Sequence, residues 1–98
     1  MPAYILIRVK TSQPEQLKAY QQTAPAIVAQ YKGKFIVRGG NSMVLEGTSE
    51  PGRIVVLEFP TLADAEAFYR SPEYSAAKKL RDGIADFEMI AVEGLTPT

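Results

Sequence analysis

The sequence has 98 residues, its 11 Lys and Arg balance 11 Asp and Glu, and it contains neither His nor Cys. Without those two residue types the chain cannot form Ser-His-Asp or Cys-His triads, Cys or His zinc sites, iron–sulfur clusters or a proximal-His haem site. Its acidic residues are scattered, so it has no carboxylate cluster suited to magnesium or calcium. We therefore expect no metal and no cofactor.

Length and charge pattern predict one domain and restrict its partners. A chain this short forms one core, so we expect a single domain over residues 1–98, with its core at about 3–94 and a tail at 95–98. Zero net charge without a Lys/Arg block argues against nucleic-acid binding. The absence of a signal-peptide pattern and of a long apolar run predicts a cytoplasmic protein that does not enter a membrane.

The first part of the chain predicts a strand followed by a long helix. Residues 4–10 are rich in β-branched side chains and predict the strand. Ser12, Pro14 and Glu15 form the pattern of a capping box with Ser12 as N-cap, so the helix should begin there. Pro25 predicts a kink or a break within the helix. Gly33 is expected to adopt the left-handed conformation that ends it.

The middle of the chain predicts an interrupted strand. Residues 34–37 begin the second strand, which should resume at residues 43–45. Between these two segments, Gly39 and Gly40 predict a bulge or a sharp bend. Residues 46–52 are rich in turn-forming types and predict a turn.

The last part of the chain completes the topology. Residues 53–59 and 85–92 predict the third and fourth strands. Thr61 opens a helix with a capping signature, and Ser71 followed by Pro72 restarts it, so we expect this second helix to be split. The order βαββαβ predicts an α+β ferredoxin-like sandwich, in which a four-stranded antiparallel sheet lies under two helices.

Side chains alternate across a strand, so the predicted strands present two faces. One face is wholly apolar and should lie under the helices: Ile5, Ile7, Val9, Phe35, Val37, Val55, Leu57, Phe59, Phe87, Met89 and Ala91. The other face is largely apolar but also charged: Tyr4, Leu6, Arg8, Ile36, Arg38, Ile54, Val56, Glu58, Glu88, Ile90 and Val92.

The second face is too apolar to be left in water. We expect a homodimer in which two such sheets pack face to face, with Arg and Glu side chains neutralising each other at the join. The alternative is that the split helix and the C-terminal tail shield this face within one chain.

Several segments together resemble a known family. They are GKFIVRGG at residues 33–40, EG at 46–47, RIVVLEFP at 53–60, FYxSPEY at 68–74 and Arg81. Over roughly residues 4–94 the chain resembles domain-of-unknown-function family DUF1330. The resemblance implies a ferredoxin-like dimeric α/β barrel, and the family has no established reaction.

Barrels related to that family include cofactor-free monooxygenases of antibiotic biosynthesis, lactone isomerases and haem-handling enzymes. The haem-handling relatives depend on His, which this chain lacks. The chain departs from the family pattern at Lys32, where the first of two glycines is common, and at Phe68, where Trp is frequent. Loss of the indole N–H at Phe68 would alter any pocket that uses it as a donor.

The strands supply two candidate site residues. Arg38 precedes two glycines, so its guanidinium and the nearby backbone N–H groups would bind a carboxylate or a phosphate. The alternative is a structural ion pair between Arg38 and either Glu58 or Glu88. An unpaired Glu58 among apolar neighbours would be a candidate catalytic base, whereas a paired one would be a structural anion.

The helices supply the remaining candidates. Tyr20, Tyr69 and Tyr74 would line a pocket for a flat ligand, with Tyr74 a candidate catalytic group, or else they pack in the core. Ser71 is included in the binding set, although a helix cap explains it most simply. Arg81 is favoured at its helix end by the helix dipole and from there would reach the acid group of a ligand.

Together these residues predict a homodimer that binds a small organic acid or a phenolic or enolisable carbonyl compound. The sequence leaves open whether it is a cofactor-independent enzyme or a non-catalytic metabolite-binding or structural homodimer. RNA binding, which the same element order also serves, is disfavoured because the third strand carries Glu58 and lacks the glycine and early aromatic of that module.

Overall fold

The described part of the chain forms four strands and three α-helices. The computed structural model describes residues 1–47 and 52–95, so part of the predicted turn at 46–52 and most of the predicted tail at 95–98 lie outside the described residues. The elements are β1 (Ala3–Thr11), α1 (Pro14–Gln30), β2 (Lys34–Arg38), β3 (Arg53–Phe59), α2 (Leu62–Arg70), α3 (Pro72–Lys78), a 3-10 turn (Lys79–Arg81) and β4 (Ala85–Glu93).

The strands form one antiparallel sheet in the order β2-β3-β1-β4. The helices cover one side of it, and the molecule is only 17 Å thick in its shortest direction, which corresponds to one sheet layer and one helix layer. This confirms the predicted α+β, ferredoxin-like fold with a split second helix. It also leaves the other sheet face without a cover from the described part of the chain.

The core lies between the sheet and the helices. The face predicted to be covered is buried in its centre, where β1 and β3 contribute alternate residues. The buried apolar side chains are Ala3, Ile5, Ile7, Val9, Leu17, Tyr20, Ala24, Ile27, Val28, Val55, Leu57, Phe59, Ala65, Phe68, Tyr74 and Ala77.

A bulge in β2 reverses the alternation of its last residues. Phe35 lies opposite Leu57, but Val37 lies opposite Val56 and Arg38 opposite Val55, so the register shifts at the intervening residue. The extra residue places Arg38 on the helix side of the sheet and Val37 on the open side. The prediction that Arg38 shares a face with the carboxylates of the open side is therefore wrong.

The sequence predicted that residues 43–45 continue β2, but in the structure they do not. Gly39 adopts a φ of +71° and turns the chain away from the sheet after Arg38. Met43 and Leu45 are consequently 81% and 88% exposed. A β-branched or apolar run becomes a strand only where a partner strand accepts its hydrogen bonds, and here the chain has left the sheet edge.

The N-terminus of α1 differs from the predicted capping box. The N-cap is Gln13, not Ser12, and it makes no side-chain capping bond. Instead, the hydroxyl of Thr11 accepts a hydrogen bond from the backbone N–H of Gln13 at 2.9 Å. Pro25 lies inside α1, which continues to Gln30, so the predicted break does not occur.

The C-terminus of α1 closes with a Schellman motif. Lys32, rather than Gly33, takes the left-handed conformation, with a φ of +72°. The N–H of Lys32 donates to the carbonyl of Ala29 and that of Gly33 to the carbonyl of Val28. Gly33 is needed for a different reason: a Cβ there would lie 2.6 Å from the Phe59 ring.

The junction between α2 and α3 follows the predicted signals. The Thr61 hydroxyl accepts from the N–H of Asp64 at the start of α2, and the Ser71 hydroxyl accepts from the N–H of Tyr74 at the start of α3. Pro72 occupies the first turn of α3. This junction redirects the chain so that the end of α3 returns towards the end of α2.

Candidate functional site

Two cavities lie on the helix side of the sheet and share the side chains of Phe87 and Met89. The first, the interior cavity, has a volume of about 60 Å³. It lies between α1 and the sheet and is lined by Ile7, Val9, Leu17, Tyr20, Gln21, Ala24, Pro25, Val28, Phe35, Arg38, Arg53, Val55, Leu57, Phe68, Tyr74, Phe87 and Met89.

The second, the β4 cleft, is larger and more polar. Its volume is about 660 Å³, within the range of small-molecule sites in proteins. It lies between β4 and the helices α2 and α3, and it is lined by Ile5, Leu62, Ala65, Glu66, Tyr69, Arg70, Lys78, Arg81, Phe87, Met89 and Ala91.

Two buried tyrosines separate the cavities. The hydroxyls of Tyr20 and Tyr74 lie 2.6 Å apart, and the Tyr74 hydroxyl is also 3.7 Å from the sulfur of Met89. Burial, together with the contact with Tyr74, raises the pKa of Tyr20 well above that of an ordinary phenol. Tyr20 is therefore neutral at physiological pH and acts as a hydrogen-bonding group.

Arg81 extends from the 3-10 turn to this tyrosine pair. Its Nη2 donates to the Tyr74 hydroxyl at 3.4 Å, and its guanidinium carbon lies 3.8 Å from the ring centroid of Phe87. Its Nε is buried and has no hydrogen-bond partner among the described residues. An unsatisfied donor on a buried cation is costly, so this Nε is an unusual feature of the side chains that line the β4 cleft.

Tyr69 and Lys78 form a second polar pair in the β4 cleft. The Nζ of Lys78 donates to the Tyr69 hydroxyl at 2.9 Å and lies 4.6 Å from the centroid of its ring. The hydrogen bond and the positive charge of Lys78 lower the pKa of Tyr69 below that of an ordinary phenol. Tyr69 therefore ionises more readily than an ordinary phenol.

The lining of the β4 cleft is positively charged overall. The one carboxylate among its described lining residues, Glu66, is held by Arg70 at 2.8 Å. Within the described chain, Lys78 and Arg81 therefore have no carboxylate partner in the cleft, and both lie beside an apolar floor that includes Phe87 and Met89. Such a surface is complementary to an anion with a flat apolar body.

Ser71 and Glu58 lie outside both cavities. The buried Ser71 hydroxyl donates to the carbonyl of Phe68 at 2.7 Å and accepts from the N–H of Tyr74 at 3.1 Å, so it holds the junction of α2 and α3. Glu58 lies on the open side of the sheet, 4.0 Å from the Nζ of Lys34. The predicted ion pair between Arg38 and Glu58 is not formed, because the bulge moves Arg38 to the other face.

The predicted candidates thus separate into groups. Tyr20, Tyr69, Tyr74 and Arg81 lie around the wall between the two cavities, and Arg38 lines the interior cavity. Sequence reasoning missed Lys78 and the shared apolar wall. Lys78 is nine residues from Tyr69 and on another helix, so no local spacing indicates their contact.

Residues 1–47 and 52–95 contain neither a metal-binding cluster nor a helix that could span a membrane. Within them, no three acidic side chains come together in a group that would hold a metal ion. No helix in the same part of the chain is long and apolar enough to cross a membrane.

Comparison with solved structures agrees with this fold. A protein of unknown function from Rhodopseudomonas palustris, RPA0582, superposes with a TM-score of 0.74 at 24% identity, over 98% of this chain and 84% of that one. SnoaB, a cofactor-independent oxygenase from Streptomyces nogalater, superposes with a TM-score of 0.69 at 9% identity, over 98% and 95% of the two chains.

A third similar structure is a dimeric ferredoxin-like protein of unknown function from Jannaschia sp. CCS1. Its TM-score is 0.64 at 17% identity, over 96% of this chain and all of that one. No curated protein matches the sequence. A family model does match, over residues 2–95. The chain therefore belongs to the family of domains of unknown function called DUF1330, as its motifs had indicated.

Proposed function

We propose that the protein binds a small planar organic anion, phenolic or enolisable, in the β4 cleft. The observation that carries this proposal is the buried Nε of Arg81, a charged donor without a partner in the described chain, in the wall of a cleft of about 660 Å³. An anion in the cleft would satisfy this buried Nε once the Arg81 side chain turns to expose it. The ring of the ligand would pack on Phe87 and Met89.

The charges of the cleft favour an acid over a neutral or cationic ligand. Arg70 already neutralises Glu66, which leaves Lys78 and Arg81 to face the bound group. A carboxylate or phenolate oxygen near both cations would make charge-assisted hydrogen bonds. A cationic ligand of the same shape would meet only repulsion there.

Tyr69 supports a catalytic role for the same site. Because Lys78 lowers its pKa, Tyr69 can ionise and accept an acidic proton from a phenol or from a carbon beside a carbonyl. The proton would move to the Tyr69 oxygen, and the electron pair left behind would be delocalised onto a substrate oxygen near Arg81. SnoaB, which is described as a cofactor-independent oxygenase, has the same fold.

The binding proposal is tested by calorimetric titration with 4-hydroxybenzoate. Lys78→Met should weaken binding about tenfold, because a charge-assisted hydrogen bond contributes roughly 1.5–3 kcal/mol. Lys79→Met is the matched control, since Lys79 is exposed, loses the same charge and does not line the cleft. Equal affinity in the two variants, or no binding by the unaltered protein, would contradict the proposal.

The catalytic reading is tested separately with acetoacetate in deuterated water. The protein should accelerate deuterium exchange at the carbon between the two carbonyl groups, and Tyr69→Phe should remove that acceleration while acetoacetate still binds. Binding without any accelerated exchange in the unaltered protein would instead assign the cleft to a non-catalytic metabolite-binding protein.

We also infer that the open face of the sheet packs against a second copy of the chain. Leu6, Ile90 and Val92 are 44%, 64% and 45% exposed on this face. Apolar side chains contiguous over several strands normally mark an interface. Two solved structures with this fold, including the Jannaschia protein, are described as dimeric.

A further inference from the structure

Arg38 and Arg53 flank the mouth of the interior cavity, a site separate from the β4 cleft. Among the described residues that line the cavity, these two are the exposed ones, and the aliphatic lining behind them is buried. Arg53 belongs to β3 and Arg38 to the neighbouring β2. The interior cavity is therefore apolar inside and has the cationic side chains of Arg38 and Arg53 at its opening.

The backbone brings the two arginines together. The bulge in β2 places Arg38 opposite Val55, and Arg53 precedes Val55 by two residues on the same face of the sheet. Diagonal neighbours of this kind have Cα atoms roughly 7–8 Å apart. Without the extra residue in β2, Arg38 would point to the open side and the pair would not exist.

Local packing holds each guanidinium near the opening. The guanidinium carbon of Arg38 lies 4.5 Å from the ring centroid of Phe35. The guanidinium of Arg53 packs on the backbone of Gly39, where a Cβ would come within 2.8 Å of its central carbon. The glycine after Arg38 thus makes room for Arg53 and also supplies the positive φ that turns the chain.

The charge at this opening is unbalanced. Among the described residues, no Asp or Glu lines the cavity. No ion pair to Arg38 or Arg53 is formed by the described residues. Two neighbouring cations without an acid repel each other, and an anion between them would relieve that repulsion. The planar guanidinium matches a carboxylate, with which it makes two parallel hydrogen bonds.

The size of the cavity limits what can follow the carboxylate. Its volume of about 60 Å³ admits roughly two water-sized groups. The wall beyond the arginines is hydrocarbon, from Val9, Leu17, Val28, Val55 and Leu57. We propose that Arg38 and Arg53 bind the carboxylate of a short-chain aliphatic monocarboxylate and that the interior cavity takes its hydrocarbon end.

Calorimetric titration with butyrate tests this site. Arg38→Gln and Arg53→Gln should each weaken butyrate binding about tenfold, because each removes a charge-assisted hydrogen bond. Lys79→Met is the matched control: it removes one positive charge from an exposed position that lines neither cavity and should leave butyrate affinity within about twofold. If Lys78→Met weakens butyrate as much as the arginine variants do, the anion binds in the β4 cleft and the proposal is wrong.

A second series tests the role of the cavity. Butyrate should bind more tightly than acetate, because only butyrate has a hydrocarbon end that enters the cavity. Butylamine, with the same chain and a positive charge, should not bind. Ala24→Val, which adds two methyl groups to the cavity wall, should abolish the preference for butyrate while the thermal transition remains cooperative. Equal affinities for acetate and butyrate, or binding of butylamine, would overturn the proposal.

Discussion

Lys32 is a residue whose backbone conformation suits glycine better than lysine. Its φ of +72° forms the Schellman motif at the end of α1. In this left-handed region the Cβ of an L-residue crowds the following carbonyl oxygen, at a cost of roughly 1–2 kcal/mol. A glycine at this position, which the family resemblance leads us to expect, would avoid this cost.

Lys32→Gly should therefore raise the free energy of unfolding by about 1 kcal/mol, measured by urea denaturation. Glycine relieves the strain but adds freedom to the unfolded chain, so the gain is less than the full strain. Lys32→Ala serves as the control, since alanine keeps the Cβ and should change stability by less than about 0.5 kcal/mol. Equal stabilisation by alanine and glycine would show that loss of the lysine side chain, and not relief of strain, is responsible.

Individual site residues could be predicted from the sequence only where the fold alone decides their surroundings. Tyr20 and Tyr74 were identifiable because helical spacing turns both towards the sheet. The environment of Glu58 could not be predicted, because it depends on which face Arg38 occupies. Lys78 had no sequence signal at all, since a turn between two helices creates its contact with Tyr69.

A side-chain hydrogen bond joins the end of α1 to the start of α3. The Tyr31 hydroxyl donates to the carboxylate of Glu73 at 2.7 Å, across 42 residues of sequence. This bond lowers the pKa of Glu73 and raises that of Tyr31. Because the pKa of Glu73 is lowered in the folded protein, Glu73 contributes stability at pH values above its ordinary pKa of 4.5. Because the pKa of Tyr31 is raised, Tyr31 contributes stability at pH values below its ordinary pKa of 10.0.

Tyr31→Phe should consequently be less stable than the unaltered protein between these two pH values. The difference should shrink as the pH falls below 4.5, because Glu73 becomes protonated, and as it rises above 10.0, because Tyr31 ionises in the unaltered protein. Thermal melting from acid to alkaline pH measures this difference. A difference that stays constant over the whole range would mean that the lost hydrogen bond is not coupled to either titration.

The elements themselves were largely predictable, and their irregularities were not. Alternation of apolar side chains indicated β1 and β3 because one face of each is buried by helices. The bulge in β2 adds a residue without any change of composition, so it had no signal beyond the nearby glycines. Similarly, residues 43–45 have the composition of a strand but no partner along the described chain.

The whole molecule has a face that one chain does not cover. The charged residues of this face carry both signs, and a facing copy would bury Leu6, Ile90 and Val92. Ile90→Lys should convert the inferred dimer into a monomer, because each interface would have to bury two lysines without partners. Size-exclusion chromatography with light scattering measures the mass. Ala91→Lys is the control, since Ala91 is also exposed but lines the β4 cleft on the opposite face.

A monomer for the unaltered chain at micromolar concentration would contradict the inferred dimer. It would not contradict ligand binding in the β4 cleft, which lies on the helix side of the sheet and not on the open face. The two claims can therefore fail independently.

A crystal structure of the protein with 4-hydroxybenzoate would show whether the β4 cleft binds a planar organic anion. The ring should lie against Phe87 and Met89, with an acid oxygen about 3 Å from the Nε of Arg81. Binding in this cleft would be contradicted if another part of the protein filled it and bonded to this Nε, while the ligand bound elsewhere or was absent.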